Sequence, residues 1–425
     1  MLSFAPRPDR EELGIRRRRQ CLLEVVALPG LHARMNNPLA VARVFALGIA
    51  LLSPFFAMET KAAAPKEYFV YFGTYTGPKS KGIYRARLDV ASGRLSPAEV
   101  AVEADTPAFL AVHPNGKFLY AIDESADPVR KPGRGISAYS LDPATGNLKL
   151  LNHETSGGAG PCHLAIDTGG RSVVVANYTG GSVASFPLLA DGRVGPMRSF
   201  LPHTGSGVNP ARQKAPHAHG FVLAPDDRFA FAADLGIDKV MAYRLDAATA
   251  TLTPAPVPFA TVPPGSGPRH LAFHPSGKFV YVINEMLCTM SVFRYDAARG
   301  ELSSVETVST LPPGVAVERE YSTAEVILHP NGKFLFGSNR GHNTIAVFAV
   351  DAGTGKLSLV ENQPTLGKTP RHFGVDPTGT WLLAENQDSD TVAVFRIDGR
   401  TGHLTATGKP LAVPSPVSAV FVAAK

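Results

Sequence analysis

The sequence predicts an all-β fold: a single seven-bladed β-propeller of four-stranded antiparallel blades. Three observations carry this. A unit of about fifty residues recurs past residue 65. Each copy is built from short runs of β-branched and aromatic residues separated by Gly and Pro turns. A seventh copy is divided between the two ends of the described repeat, which is what closing a ring requires.

The clearest copy is GPRHLAFHPSGKFVYVINE, residues 267–285, followed by SVFRYD and GELSSVETVST. Its turn recurs at 113, 167, 224, 274, 329 and 376, with spacings of 54, 57, 50, 55 and 47 residues. Strand A is HLAF-like and ends at a tight HPNG or HPSG turn, where Pro and Gly preset the backbone. Strand B is KFVYVIN-like and nearly apolar on both faces, as a sheet stacked between two neighbours requires. Strand C is the SVFRYD, TIAVFAVD or TVAVFRID segment, and an Asp-x-x-x-Gly turn leads to strand D. The segment from Tyr68 supplies strands B, C and D without an A, and PVSAVFV from Pro416 is a strand A with nothing after it. Joining them completes the ring over 66–425, whereas a linear solenoid would leave both halves unexplained.

Composition excludes several function classes. The chain is 44% hydrophobic and 18% charged, too apolar for a disordered polymer. Three cysteines without a CxxC pair exclude a disulfide scaffold and give no zinc motif. The formal charge is +6, but residues 1–65 hold nine Lys/Arg against five Asp/Glu, so the body carries only +2. A nearly neutral body without a basic stripe argues against nucleic acid as a partner. Within 1–65, Met35 opens a second pattern: Arg43, an apolar stretch from Val44 to Met58, then Ala62 to Ala64. That is the layout of a secretory signal peptide, too short and Pro-broken for a membrane-spanning helix. The expectation is a start at Met35 and a periplasmic or secreted protein, with a cytoplasmic one as the alternative. Membrane contact would come only through an uncleaved signal, and a monomer or weak oligomer is expected.

The repeat allows positions to be compared within the chain. At the start of strand A the copies carry Phe109, His163, His219, His270, Glu325, His372 and Ser418, with Arg269 and Arg371 just before two of the histidines. At the end of strand B they carry Tyr75, Glu124, Tyr178, Leu235, Glu285, Arg340 and Gln387. A and B form a hairpin, so both sets converge at one mouth of the channel. The residue before the second set is Thr74, Asp123, Asn177, Asp234, Asn284, Asn339 or Asn386, a periodic ring that suits a repeated backbone-satisfying task. His113, His274 and His329 belong to the HP turns at the opposite end and read as structural. Glu285 and Arg340 break the pattern of their slot, so they read as functional. Two long insertions, residues 201–220 and 311–320, overhang the same mouth, and Arg212, Gln213 and Lys214 lie in the first.

The candidate catalytic residues are therefore His219, Arg269, Glu285 and Arg340: a base, an acid partner and two permanent cations. The candidate substrate contacts are His217, Arg212, His163, His270, Arg371, His372 and Asn177. There is no GxSxG elbow for a serine nucleophile, and Cys162, beside His163, reads as a small apolar filler. No HExxH or carboxylate triplet supports a metal site, and no cofactor motif is present.

The strings GSGVNPARQKAPHAHG, GPRHLAFHPSGKFVYVINE and STAEVILHPNGKFLFGSNRGHNTIAVF resemble the seven-bladed lactonase family, that of propeller-type bacterial 6-phosphogluconolactonases, related to carboxy-muconate lactonizing enzymes. The resemblance spans about residues 68–422. It implies metal-independent chemistry on a lactone bearing an anionic group, with a His, an Arg, a Glu and a second Arg that fall on His219 (or His217), Arg269, Glu285 and Arg340. Export departs from a cytosolic phosphorylated substrate. Two alternatives share the fold: a non-catalytic exported binding module, whose repeats YVINEMLCTMSVF and LAENQDSDTVAVF also resemble, and lactone formation from a muconate.

Overall fold

The structure is a computed structural model and describes residues 65–125, 127, 129 and 134–424. The leader predicted over 1–65 lies outside the described residues, apart from Pro65. Among the described residues are seven four-stranded antiparallel sheets. Six are consecutive in sequence, and we number them as blades 1 to 6 from Pro107 onward. In blade 7 the strand Pro416–Ala423 pairs with Glu67–Thr74, from Tyr68 opposite Ala423 to Gly73 opposite Ser418. Gly82–Asp89 and Glu99–Glu103 complete that sheet. The predicted ring closure is thus formed as read from the sequence.

The four strands of a blade are buried to different degrees, which explains their composition. Strand A of each blade touches strand A of the next all the way round, so these strands line the central channel. Strand B is buried on both faces: Phe229–Asp234, Phe279–Asn284 and Trp381–Asn386 are buried at every residue. Burying one such aromatic side chain is worth roughly 1.5–3 kcal/mol. Strand D lies outermost and mixes exposed with half-buried residues, as in Thr251–Thr261.

Blade-to-blade contact is repeated with one directional sense. The aromatic that opens strand B packs beneath the Asp-x-x-x-Gly turn of the next blade. At Gly300 of blade 4, with φ +67°, an added Cβ would stand 2.2 Å from the Phe229 ring of blade 3, so both the left-handed backbone and the close approach demand glycine. Two turns depart from this. Blade 2 has Leu188 where the Asp stands, although Gly192 still meets the Phe118 ring. Ala250 of blade 3 occupies the glycine position at φ 56°, and it follows the one blade in which Ser172 replaces the aromatic. Side chains pin the same junctions. Tyr71 donates to Gly146 O (2.6 Å), Tyr120 to Gly192 O (3.0 Å), Tyr281 to Gly355 O (3.1 Å), and Trp381 Nε1 to Val90 O (2.8 Å).

The HP-turn histidines do structural work. His113, His274 and His329 donate through Nε2 to Gly170, Gly332 and Gly379 O of the following blade, at 2.8–2.9 Å. Each accepts through Nδ1 from a backbone N–H two residues on.

A chain ended at Ser415 would strip the partner from Tyr68–Thr74 and leave an apolar edge bare. The expected result is loss of the cooperative thermal transition, with aggregation. A soluble truncated chain with an unchanged melting temperature would refute the closure as the main constraint.

Candidate active site

A bulge repeated at the start of strand A sorts its side chains into two layers. In blade 4, Pro268 lies opposite Asn284 and His270 opposite Ile283, so Arg269 is the extra residue. The same step occurs at Pro107/Phe109, Pro161/His163 and Pro370/His372, which makes Cys162 and Arg371 the extra residues of blades 2 and 6. In blade 3 the irregular step spans His219 and Gly220. Such a bulge re-aims neighbouring side chains. Cys162 and Arg371 line a cavity at the mouth, and Arg269 reaches the Glu285 carboxylate beside it, whereas His163, His270 and His372 pack in the channel beneath.

The upper layer is a cavity of about 340 Å³ with Glu285 in its lining. Glu285 ends strand B of blade 4 and meets three guanidinium groups. Arg212 Nη2 is 2.6 Å from its Oε1, Arg340 Nη2 is 3.0 Å from its Oε2, and Arg269 Nε is 3.4 Å from that same oxygen. Burial alone would raise the Glu285 pKa, but Arg340, Arg269 and Arg212 overrule it and hold the carboxyl down to about 2. Arg269 is itself pushed down to about 10, first by burial and then by Arg371 and Arg340. His219 lines the cavity, and its Nδ1 is buried without a hydrogen-bond partner. Burial, then Arg269 and His270, hold its imidazole well below the ordinary value and therefore neutral.

The far side of the cavity carries a second set. Glu124 accepts from the Tyr75 hydroxyl at 2.8 and 2.9 Å, and Arg371 lies 3.6 Å from Glu124 and 5.2 Å from the Tyr75 ring centroid. Tyr178 lines the cavity, with His217 stacked on it at 4.6 Å and His219 edge-on at 5.5 Å.

The lower layer is a buried imidazole–carboxylate cluster. His270 Nδ1 lies 2.9 Å from Glu325 Oε2, His372 Nδ1 lies 2.8 Å from Glu385 Oε2, and His372 Nε2 lies 3.4 Å from Glu325 Oε2. His163 accepts from the Phe221 N–H at 3.3 Å and packs on Phe109 at 4.1 Å. Burial, reinforced by Glu325, raises the Glu385 pKa well above the ordinary carboxylate value.

The structure therefore brings His219, Arg269, Glu285, Arg340, Arg212, Arg371 and His217 to one mouth. It places His163, His270 and His372 a layer below, out of the cavity lining, because the bulge turns them inward. Asn177 is a correction. Its Nδ2 donates to Ser156 O (3.3 Å) and Ser182 Oγ (3.1 Å), and the residue is fully buried, so it serves the backbone rather than a ligand. Asn339 and Asn386 of the same ring bond Thr310 O and Thr365 O. Gln213 is also structural, donating to Leu235 O and accepting from Asn209 N–H. Sequence reasoning did not select Glu124, Tyr178 or Ser322, which line the cavity. Glu124 and Tyr178 occupy the very slot that singled out Glu285. Cys162 lines the cavity too, but burial, then Glu124, push its thiol up, so it is no thiolate.

Fold and site together define a propeller with a small-molecule pocket of cationic character at one mouth. The profile of the family described as "Lactonase, 7-bladed beta-propeller" matches residues 69–421, and the chain belongs to that family. It is 36% identical over 311 residues to a 6-phosphogluconolactonase of Bacillus subtilis, covering 73% of this chain and 85% of the relative. It is 33% identical to a 6-phosphogluconolactonase of Formosa agariphila, covering 72% and 86%. Among solved structures it resembles the periplasmic gluconolactonase of Pseudomonas aeruginosa, with a TM-score of 0.79 and 33% identity over 84% of this chain and 100% of that one.

The buried imidazoles set a pH dependence. His163, His219 and His270 lie well below 6.5 in the fold, mainly through burial. Unfolded, they titrate near 6.5, so below that pH the unfolded chain binds protons that the fold refuses. Their effect is absent above pH 6.5 and costs stability as pH falls. Glu385 acts oppositely, because only the unfolded chain ionises it above about 4.5. The three histidines outnumber it. The melting temperature is expected to fall between pH 7 and pH 5, and less steeply in His163→Phe. Equal slopes in a calorimetric series would contradict a neutral His163.

Proposed function

We propose that the protein hydrolyses the lactone of a sugar acid, and that a negatively charged group on the substrate is part of what it recognises. The observation that carries this reading is the convergence of Arg212, Arg269 and Arg340 on Glu285 in one concave site, with neutral His219 on its wall. The family and the named lactonases among its relatives support it.

The electrostatics divide the labour. Both Glu285 oxygens are already engaged by guanidinium groups, whereas His219 Nδ1 has no partner and can accept a proton. Glu285 is better suited to orienting the arginine forks and a substrate hydroxyl. His219 is neutral and takes a proton from water as the water oxygen adds to the lactone carbonyl. The oxyanion that forms is stabilised by Arg269 and Arg340, whose charges are already in place and need no reorganisation. When the ring C–O bond breaks, protonated His219 returns its proton to the leaving alkoxide, giving the open hydroxy acid. The scheme uses side chains alone.

The chain is exported and cleaved after the Ala62–Ala64 segment. The periplasmic gluconolactonase among its structural relatives supports this. N-terminal sequencing of protein recovered from a secreting bacterial host is expected to begin near Pro65. Material that retains Met1 or Met35 would remove this part of the reading.

Glu285→Gln tests the chemistry. It keeps the volume but removes the charge that holds three arginines. On any lactone that the wild type opens, kcat/KM is expected to drop by about 10²-fold or more. Unchanged turnover across a lactone panel would remove the mechanism.

A further inference from the structure

The three arginines around Glu285 are not held alike. Arg269 donates through Nη1 to Ala324 O at 2.6 Å, and its side chain is 3% exposed. Arg340 donates through Nη2 to Thr323 O at 2.7 Å, and its side chain is 13% exposed. Both head groups are therefore fastened to the backbone at the start of strand A of blade 5, independently of any ligand. Arg212 has no such anchor among its contacts. Its guanidinium reaches Glu285 Oε1 at 2.6 Å and the Tyr178 hydroxyl at 3.3 Å, both atoms of residues lining the cavity, and its side chain is 44% exposed.

Its backbone, by contrast, is firmly placed. Asn209 Oδ1 accepts from Ala211 and Arg212 N–H, and the buried Gln213 side chain donates to Leu235 O while accepting from Asn209 N–H. The insertion thus fixes where Arg212 starts and leaves its charged end tied only to the site. A long flexible side chain on a rigid base, paired to a carboxylate at the pocket, is suited to exchanging one anion for another.

We propose that Arg212 is a substrate-exchanged latch that confers selectivity for anionic lactones. In the free protein it caps Glu285. When a substrate carrying a phosphate or carboxylate enters, the guanidinium leaves Glu285 Oε1 for that group, with which it forms a forked, charge-assisted pair. Glu285 keeps Arg269 and Arg340 and regains one oxygen for a substrate hydroxyl. An uncharged lactone has nothing to offer Arg212, so it competes with an intact ion pair. Specificity then arises from an interaction that only the charged substrate replaces. The latch rests on the lactonase reading for its kinetic consequence, but not for its binding consequence.

The test compares wild type, Arg212→Gln and Arg212→Lys. Two readouts are taken: kcat/KM on 6-phosphogluconolactone and on gluconolactone, and calorimetric affinity for the two product acids, 6-phosphogluconate and gluconate. Loss of one charged pair is expected to lower the ratio of phosphorylated to unphosphorylated affinity by about 10- to 100-fold in Arg212→Gln. The kcat/KM ratio is expected to fall in parallel, and Arg212→Lys should recover part of both. If Arg212→Gln lowers both ligands equally, or changes neither ratio, the latch is overturned. If the wild type opens neither lactone while the affinity ratio still falls tenfold, the latch stands and the hydrolytic reading fails.

Discussion

Everything at the mouth depends on one strand pairing, that between Pro416–Ala423 and Glu67–Thr74. Seven wedge-shaped sheets define a channel only when the last meets the first. Until then, the strands A of blades 1 and 6 face open space across the gap, and the residues at their starts have no fixed opposite number. Closure converts positions far apart in sequence into neighbours. Glu124 and Arg371 lie 3.6 Å apart, although 247 residues separate them in the chain. Such a long-range contact comes with a large loop-closure cost, so the Glu124–Arg371 side of the mouth is held by ring closure rather than by any local element.

The mouth is also where the fold departs from what stability alone would select. A buried carboxylate ringed by cations is costly to desolvate, and an apolar filling of equal volume is often neutral or better. The Glu285 cluster has three cations around one anion, and its surplus positive charge is unmatched within that cluster. A second, buried cluster of imidazoles and carboxylates lies under it, and the channel floor is therefore polar rather than greasy. The scaffold around both is conventional: doubly buried strands, aromatic rings under turn glycines, and histidine staples at the far face. Hydrogen bonds and ring-on-glycine contacts tie each blade junction, and the mouth is framed by these seams.

Most of the architecture could be read from the sequence because each blade repeats one hydrophobic frame and one turn. The split blade was legible because two fragments with complementary missing strands stood at opposite ends. In the site, Glu285 and Arg340 were legible because they break a periodic slot. Glu124 and Tyr178 occupy that slot too, but an acid or a tyrosine at a strand end is unremarkable without knowing which blades face each other. Asn177 shows the converse: a polar residue at a converging position serves its own loop when its neighbours repeat the same chemistry. The two layers were invisible. A bulge adds one residue without changing composition, so Arg269 and His270 are adjacent in sequence while one meets Glu285 at the mouth and the other is sealed in the channel.

The pairing of Ala250 with the blade that carries Ser172 bears on how such rings are altered over time. Where the ring side chain is absent, its opposite turn no longer needs to lack a Cβ. The two losses sit on different blades but share one junction, so neither is a property of a single repeat. A blade copied, deleted or transplanted by recombination takes half of each of its two seams with it. The unit of exchange that preserves fit is therefore the junction, and blades are replaceable parts only in company with the faces they meet.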